Sequence, residues 1–153
     1  MGNENNIWYS VRKALIVIHY ESLDQLKKYR SAIKEVNLNI HECVILTIVG
    51  NKKEKNILGE QSSVVFINEN EINLLGKLKN EDASKMLVRN FDTQFFFCEP
   101  SKKIAKKLMN QKVRLRVGVN IQNEWCDINL QSNSTSPVHL LNFVKETLEK
   151  IQL

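Results

Sequence analysis

The chain has 153 residues, 42% hydrophobic and 25% charged, the size and make-up of one ordinary globular domain with no room for a second. Its 22 basic and 17 acidic residues leave a formal charge of +5, an excess that favours solubility and weak attraction to polyanions but does not define a nucleic-acid binder. No apolar run approaches the ~20 residues that cross a bilayer, and no basic and apolar leader opens the chain, so a cytoplasmic protein with no membrane partner is expected.

Residues 1–11 read as an N-terminal segment, open to disorder, ahead of a single α/β domain over 12–153. Residues 14–18 (ALIVI) are continuously aliphatic, the pattern of a strand covered on both faces at the centre of a parallel sheet. A helix follows over 22–36, with Leu23, Leu26, Ile33 and Val36 at helical spacing, and Ser22 with Gln25 as its capping box. Residues 43–49 form a second buried strand, 52–59 a short helix and 64–67 a third strand, whereas 73–79 fit a helical turn or an extended segment equally well. Residues 82–89 read as a helix and 93–97 as a fourth strand, whose three phenylalanines need cover on both faces.

Ser101 caps a helix running to Met109, with Ile104, Ala105, Leu108 and Met109 inward and Lys102, Lys103, Lys106 and Lys107 outward. In residues 113–119 Val113, Leu115, Val117 and Val119 alternate with Arg114, Arg116 and Gly118, which predicts one open or lightly covered face. A short strand at 127–130 and a helix over 137–151, with Ser136 at its N-cap and Pro137 at its first position, complete the chain. Alternating strands and helices imply right-handed crossovers and a three-layer, mainly parallel, doubly wound (Rossmann-like) sheet of five or six strands with the first strand central.

Such a fold binds phosphates where a glycine-rich turn lets backbone amides approach them, but the first turn here is His19-Tyr20-Glu21-Ser22. It has no glycine, and Glu21 repels phosphate, so no dinucleotide cofactor is expected. The three cysteines, Cys43, Cys98 and Cys126, are odd in number and widely spaced, which suits reduced thiols. With His19, His41 and His139 they lack the paired spacing of a structural zinc site, and no metal is expected.

Parallel strands deliver their following loops to one edge of the sheet. That edge is expected to collect His19, Tyr20, Asn51, Asn68, Cys98, Glu99 and Asn120. Cys98 with His19 as base is the enzymatic reading and a buried strand-end thiol the plainer one. Glu99 steers the edge toward a neutral or zwitterionic polar ligand rather than a phosphate. Arg114 and Arg116, on one strand face, pair with carboxylates such as Asp92 or Asp127 or else hold an anion. Lys102, Lys103, Lys106, Lys107, Lys112, Arg114 and Arg116 are dense enough to attract a polyanion, yet no aromatic is interleaved for stacking on bases.

The order of Phe91-Asp92, the Phe95-Phe96-Phe97 strand, Arg116-Val117-Gly118-Val119 and Asp127-Ile128-Asn129-Leu130 resembles a family of small uncharacterised bacterial cytoplasmic proteins known as a domain of unknown function. The resemblance implies fold and compartment, not chemistry; the basic leader helix common there is missing from residues 1–11. More distantly, residues 92–118 are similar to the acceptor half of heptosyltransferase-like glycosyltransferases, which need a second Rossmann-like half to bind the sugar nucleotide. A non-catalytic domain binding a protein partner or a small polar ligand is therefore expected, ahead of a small-ligand enzyme and an accessory nucleic-acid factor.

Overall fold

In the computed structural model, which describes residues 5–38, 42–50 and 63–152, the aliphatic run after Lys13 becomes β1 (Ala14–His19), buried at every position but the last. A strand with apolar side chains on both faces has no side to turn to water, so it is stable only between two covered layers. The other strands are β2 (Val44–Ile48), β3 (Val64–Ile67), β4 (Thr93–Phe96), β5 (Leu115–Val119) and β6 (Ile128–Leu130). They form one sheet in the order β3-β2-β1-β4-β5-β6, and every neighbouring pair is parallel. The doubly wound architecture expected from the strand and helix alternation is thus present, with β1 and β2 adjacent and interior.

Helices α1 (Leu23–Glu35) and α4 (Pro137–Glu149) cover one face, and α2 (Glu81–Leu87) and α3 (Lys102–Met109) the other. The period-2 alternation of β1 divides its side chains between the two cores. Ala14, Ile16 and Ile18 join Leu26, Tyr29 and Ile33 of α1 and Leu141, Val144 and Leu148 of α4. Leu15 and Val17 join Met86 of α2 and Ile104 and Leu108 of α3. Phe95 and Phe96 also part to opposite faces, while Phe97 lies just past β4 with its ring centroid 5.5 Å from that of Tyr29, the two rings tilted by 60°. Burying each such side chain contributes about 1.5–3 kcal/mol.

Several local expectations are refined. Ser22 Oγ accepts from Gln25 N (3.1 Å), but the Gln25 amide replies to Glu21 N and His19 O, both at 3.0 Å, instead of to Ser22 N. Ser136 stands at the N-cap of α4 with Pro137 behind it, yet its hydroxyl makes no capping bond. Residues 73–79, for which the sequence favours no one form, make a reversal: Ile72 and Leu78 bridge and the chain turns through Gly76 at φ +82°. The expected helix at 52–59 lies outside the described residues.

Two further details concern the amino edge of the sheet and β5. From Asn5 onward the N-terminal segment folds onto the domain: residues 8–10 form a 3-10 turn, Ile7 N donates to Ile151 O at 2.9 Å, and Trp8 packs 6.5 Å from Phe95. Of the open and lightly covered forms expected for the polar face of β5, a graded cover is present, with Arg114 exposed, Arg116 half-buried and Gly118 buried. Gly118 is buried against Ile121, Cys126 and Asn129, and Arg116 lies under the end of α3.

Candidate functional site

The strand order reverses between β1 and β4, because one crossover from β1 leads outward to β2 and the later chain returns on its other side. Connecting loops diverge at such a point and leave a crevice at the carboxyl ends of the strands. Two clefts open there, of about 500 Å³ and 350 Å³, and His19, the exposed last residue of β1, lines both.

The larger cleft has Ile18, Tyr29, Phe97 and Leu140 among its apolar lining residues. Its polar lining comes from two places distant in sequence: Glu21, Ser22, Asp24, Gln25 and Lys28 at the start of α1, and Ser134, Thr135 and Ser136 before α4, with Asn120 beyond β5. Lys28 pairs with Asp24 at 3.1 Å on the exposed helix surface, a contact worth about 0.3–0.5 kcal/mol. Asn120 holds a left-handed backbone (φ 58°), which asparagine tolerates better than most residues. From there its N donates to Leu130 O at 2.8 Å, and its Oδ1 accepts from Ser132 N at 2.7 Å, tying the hydroxyl-rich loop to the end of β5.

The smaller cleft is lined by His19, Gly50, Asn68, Glu69, Asn70, Glu99 and the start of α3 at Ser101. Asn68 is committed to structure: it is 2% exposed, its Nδ2 donates to Val49 O, its Oδ1 accepts from Asn70 N, and its own N donates to Glu71. Glu71 also accepts from Asn80 Nδ2, which reaches Phe66 O as well, so a buried amide and carboxylate network braces the end of β3. Glu99 Oε1 accepts a hydrogen bond from Asn123 Nδ2.

The residues expected at this edge therefore divide. His19, Asn68, Glu99 and Asn120 line the clefts. Tyr20 and Cys98 line neither and pack against the two cores, and Asn51 lies outside the described residues. Burial, with Glu99 adding to it, pushes the Cys98 thiol up to about 12; burial likewise raises Cys43 and Cys126 to about 11. A thiol so held stays protonated at neutral pH and is a poor nucleophile.

Arg114 and Arg116 each hydrogen-bond to other parts of the fold. Arg114 donates to Ser10 O (2.9 Å). Arg116 donates to Gln94 Oε1 and to Gln111 O, both at 2.8 Å, and at 3.4 Å to the carbonyls of Leu108 and Met109, where it satisfies the end of α3. The Asp92 carboxylate accepts from Arg12 N, Lys13 N and Thr93 Oγ1, and Asp127 from Arg116 N. Both carboxylates thus brace backbone instead of pairing with guanidinium. Among the described residues no group of three or more His, Cys, Asp or Glu is placed to hold a metal ion.

The residues of the larger cleft that sequence reasoning passed over are Asp24, Gln25 and Lys28 as lining groups and residues 134–136. Only the docking of α1 beside α4 joins them; the one signal in the chain was the density of hydroxyls just before Pro137.

No curated protein matches the chain. The family model described as a family of unknown function (DUF6913) matches residues 2–151, and the chain belongs to that family.

Proposed function

We propose that this protein is a non-catalytic binding domain that holds a neutral or zwitterionic polar small molecule in the larger cleft at the carboxyl edge of the sheet. The observation that carries this reading is the cleft's lining: serine and threonine hydroxyls, two amides, one imidazole, two carboxylates and one lysine around an apolar base. Hydroxyls and amides both donate and accept, so they suit a ligand rich in hydroxyl or amide groups. Glu21 and Asp24 outnumber Lys28, which disfavours a phosphate and suits an ammonium group. The amino ends of α1 and α4, at Ser22 and Ser136, offer partial positive charge for an opposed carboxylate.

An enzymatic reading through Cys98 is the weaker one, since that thiol packs against a core, lines neither cleft and is held protonated. Compartment follows the same reasoning: three free cysteines fit the cytoplasm, and a bacterial source rests on the family resemblance alone. No helix of the described residues is long and apolar enough to cross a membrane. Nucleic acid is not the favoured partner, because the lysines of α3 have no aromatic platform beside them.

The test is a panel of free amino acids and small polyols followed by amide chemical shifts. Perturbations should gather on Ser22, Gln25, Asn120 and residues 134–136, and Ser136→Ala with Gln25→Ala should weaken the best ligand about tenfold, or ~1.4 kcal/mol. Shifts gathering at the amino edge or on α3 would refute the placement, and turnover of a bound molecule would replace binding with catalysis.

A further inference from the structure

Between β3 and α2 the chain holds two leucines out in water: Leu74 and Leu75 are 97% and 95% exposed. Single exposed apolar residues are ordinary, but adjacent ones held by a built turn call for a reason. Asn73 Oδ1 accepts from Leu75 N (3.0 Å) and Lys77 N (2.8 Å), Asn73 N donates to Lys77 O and Gly76 N to Asn73 O, both at 2.9 Å. Ile72, 3% exposed, anchors the base in the core. Gly76 takes the left-handed backbone that only glycine adopts at little cost.

Beside this tip is a hollow of about 340 Å³ lined by residues 72–76 and, from the α3 side, by Lys103, Lys106, Lys107 and Asn110. It carries three lysines and no carboxylate. None of these lysines makes an ion pair among the described residues, where the pairs formed are Lys28 with Asp24 and Lys85 with Glu81. Lys77 and Lys79 are exposed on the same turn. An apolar point is thus set in a positively charged rim.

We infer that this tip and rim form a peripheral docking surface for an anionic lipid bilayer, with Leu74 and Leu75 entering the headgroup boundary and the α3 lysines meeting the lipid phosphates and carboxylates. Interfacial binding needs a small apolar insertion together with basic residues near the surface, and no spanning helix. Shape separates this occupant from a protein. A stable protein interface covers roughly 800 Å² on each partner, which two residues on a protruding turn do not supply. A second copy is disfavoured by charge, because a two-fold contact through this surface would set lysines against lysines. The contact departs from the absence of a membrane partner expected from the sequence. It also shares no lining residue with the larger cleft, so the two proposals stand or fall separately.

The experiment is cosedimentation of the full chain with vesicles of phosphatidylcholine alone and of phosphatidylcholine with roughly one-quarter phosphatidylserine. The protein should bind the anionic vesicles and not the neutral ones, and rising salt should release it. Leu74→Ser with Leu75→Ser, and separately Lys103→Glu with Lys106→Glu, should each weaken binding at least ~tenfold. All four side chains are exposed, so both variants should keep the wild-type melting temperature. Equal binding to the two vesicle types, binding indifferent to the leucines, or no binding would overturn the inference. Self-association abolished by the leucine variant, with no vesicle binding, would assign the surface to a second copy.

Discussion

A cysteine acts as a nucleophile only as its thiolate, so its reactivity depends on whether the surroundings favour charge. Around Cys98 burial comes first and the nearby Glu99 second, and both oppose it, raising the thiol from 9.0 to about 12. An acid whose folded value is raised holds its proton more tightly when folded. Its contribution to stability is therefore complete below pH 9 and fades as pH climbs toward 12. Cys43 and Cys126 follow the same direction to about 11. The melting temperature should be level near neutral pH and fall progressively above pH 9, and Cys98→Ala should make that fall shallower. Rapid alkylation of Cys98 in the native protein at about pH 7.5 would contradict this account. The sequence placed Cys98 correctly just past a strand but could not tell whether it faces a cleft or a core. Arg116 teaches the same lesson: its spacing marks an arginine on a strand, while its acceptors, Gln94 and the carbonyls ending α3, come from elements that only the fold brings near.

At the scale of elements, legibility follows how much of an element's environment is local. The apolar runs of β1 and β2 declare two covered faces by themselves, and both strands are interior. The alternation in β5 suggested an open or lightly covered face because it shows polarity, not what supplies the cover. Residues 121–129 supply the cover, and Gly118 permits their approach: a Cβ there would lie 2.9 Å from both Asn129 Oδ1 and Ile121 Cγ1 and 3.1 Å from Cys126 Sγ. Side-chain tips can give way in part, so Gly118→Ala should cost about 1–2 kcal/mol, less than a clash with backbone would. Urea denaturation would measure it, and an unchanged midpoint would mean that the loop is not seated as described. The larger cleft was half legible for a related reason. The strand ends at His19 and Asn120 follow from parallel topology, whereas the hydroxyls of residues 134–136 join them through the docking of α4 beside α1.

Across the whole molecule the two edges of the sheet do different work. At the carboxyl edge the loops diverge around His19 and leave space. At the amino edge the chain closes in: Asp92 gathers the amides of Arg12 and Lys13, Arg114 reaches Ser10, and Ile7 ties to Ile151. Trp8 seals this end by packing on Phe95, a residue with no exposed surface. Rigidity at one edge and space at the other is how a small α/β domain can keep a binding crevice without loosening its core. The separation is open to test. Trp8→Ala removes a large side chain from a half-buried site and should cost about 2–3 kcal/mol, below the usual range for a fully buried tryptophan. Because the loss falls at the amino edge, the amide shifts of Ser22, Asn120 and Ser136 should stay in place. Movement of those signals, or no change in the denaturation midpoint, would show that the edges are coupled or that the N-terminal turn is not part of the fold's support.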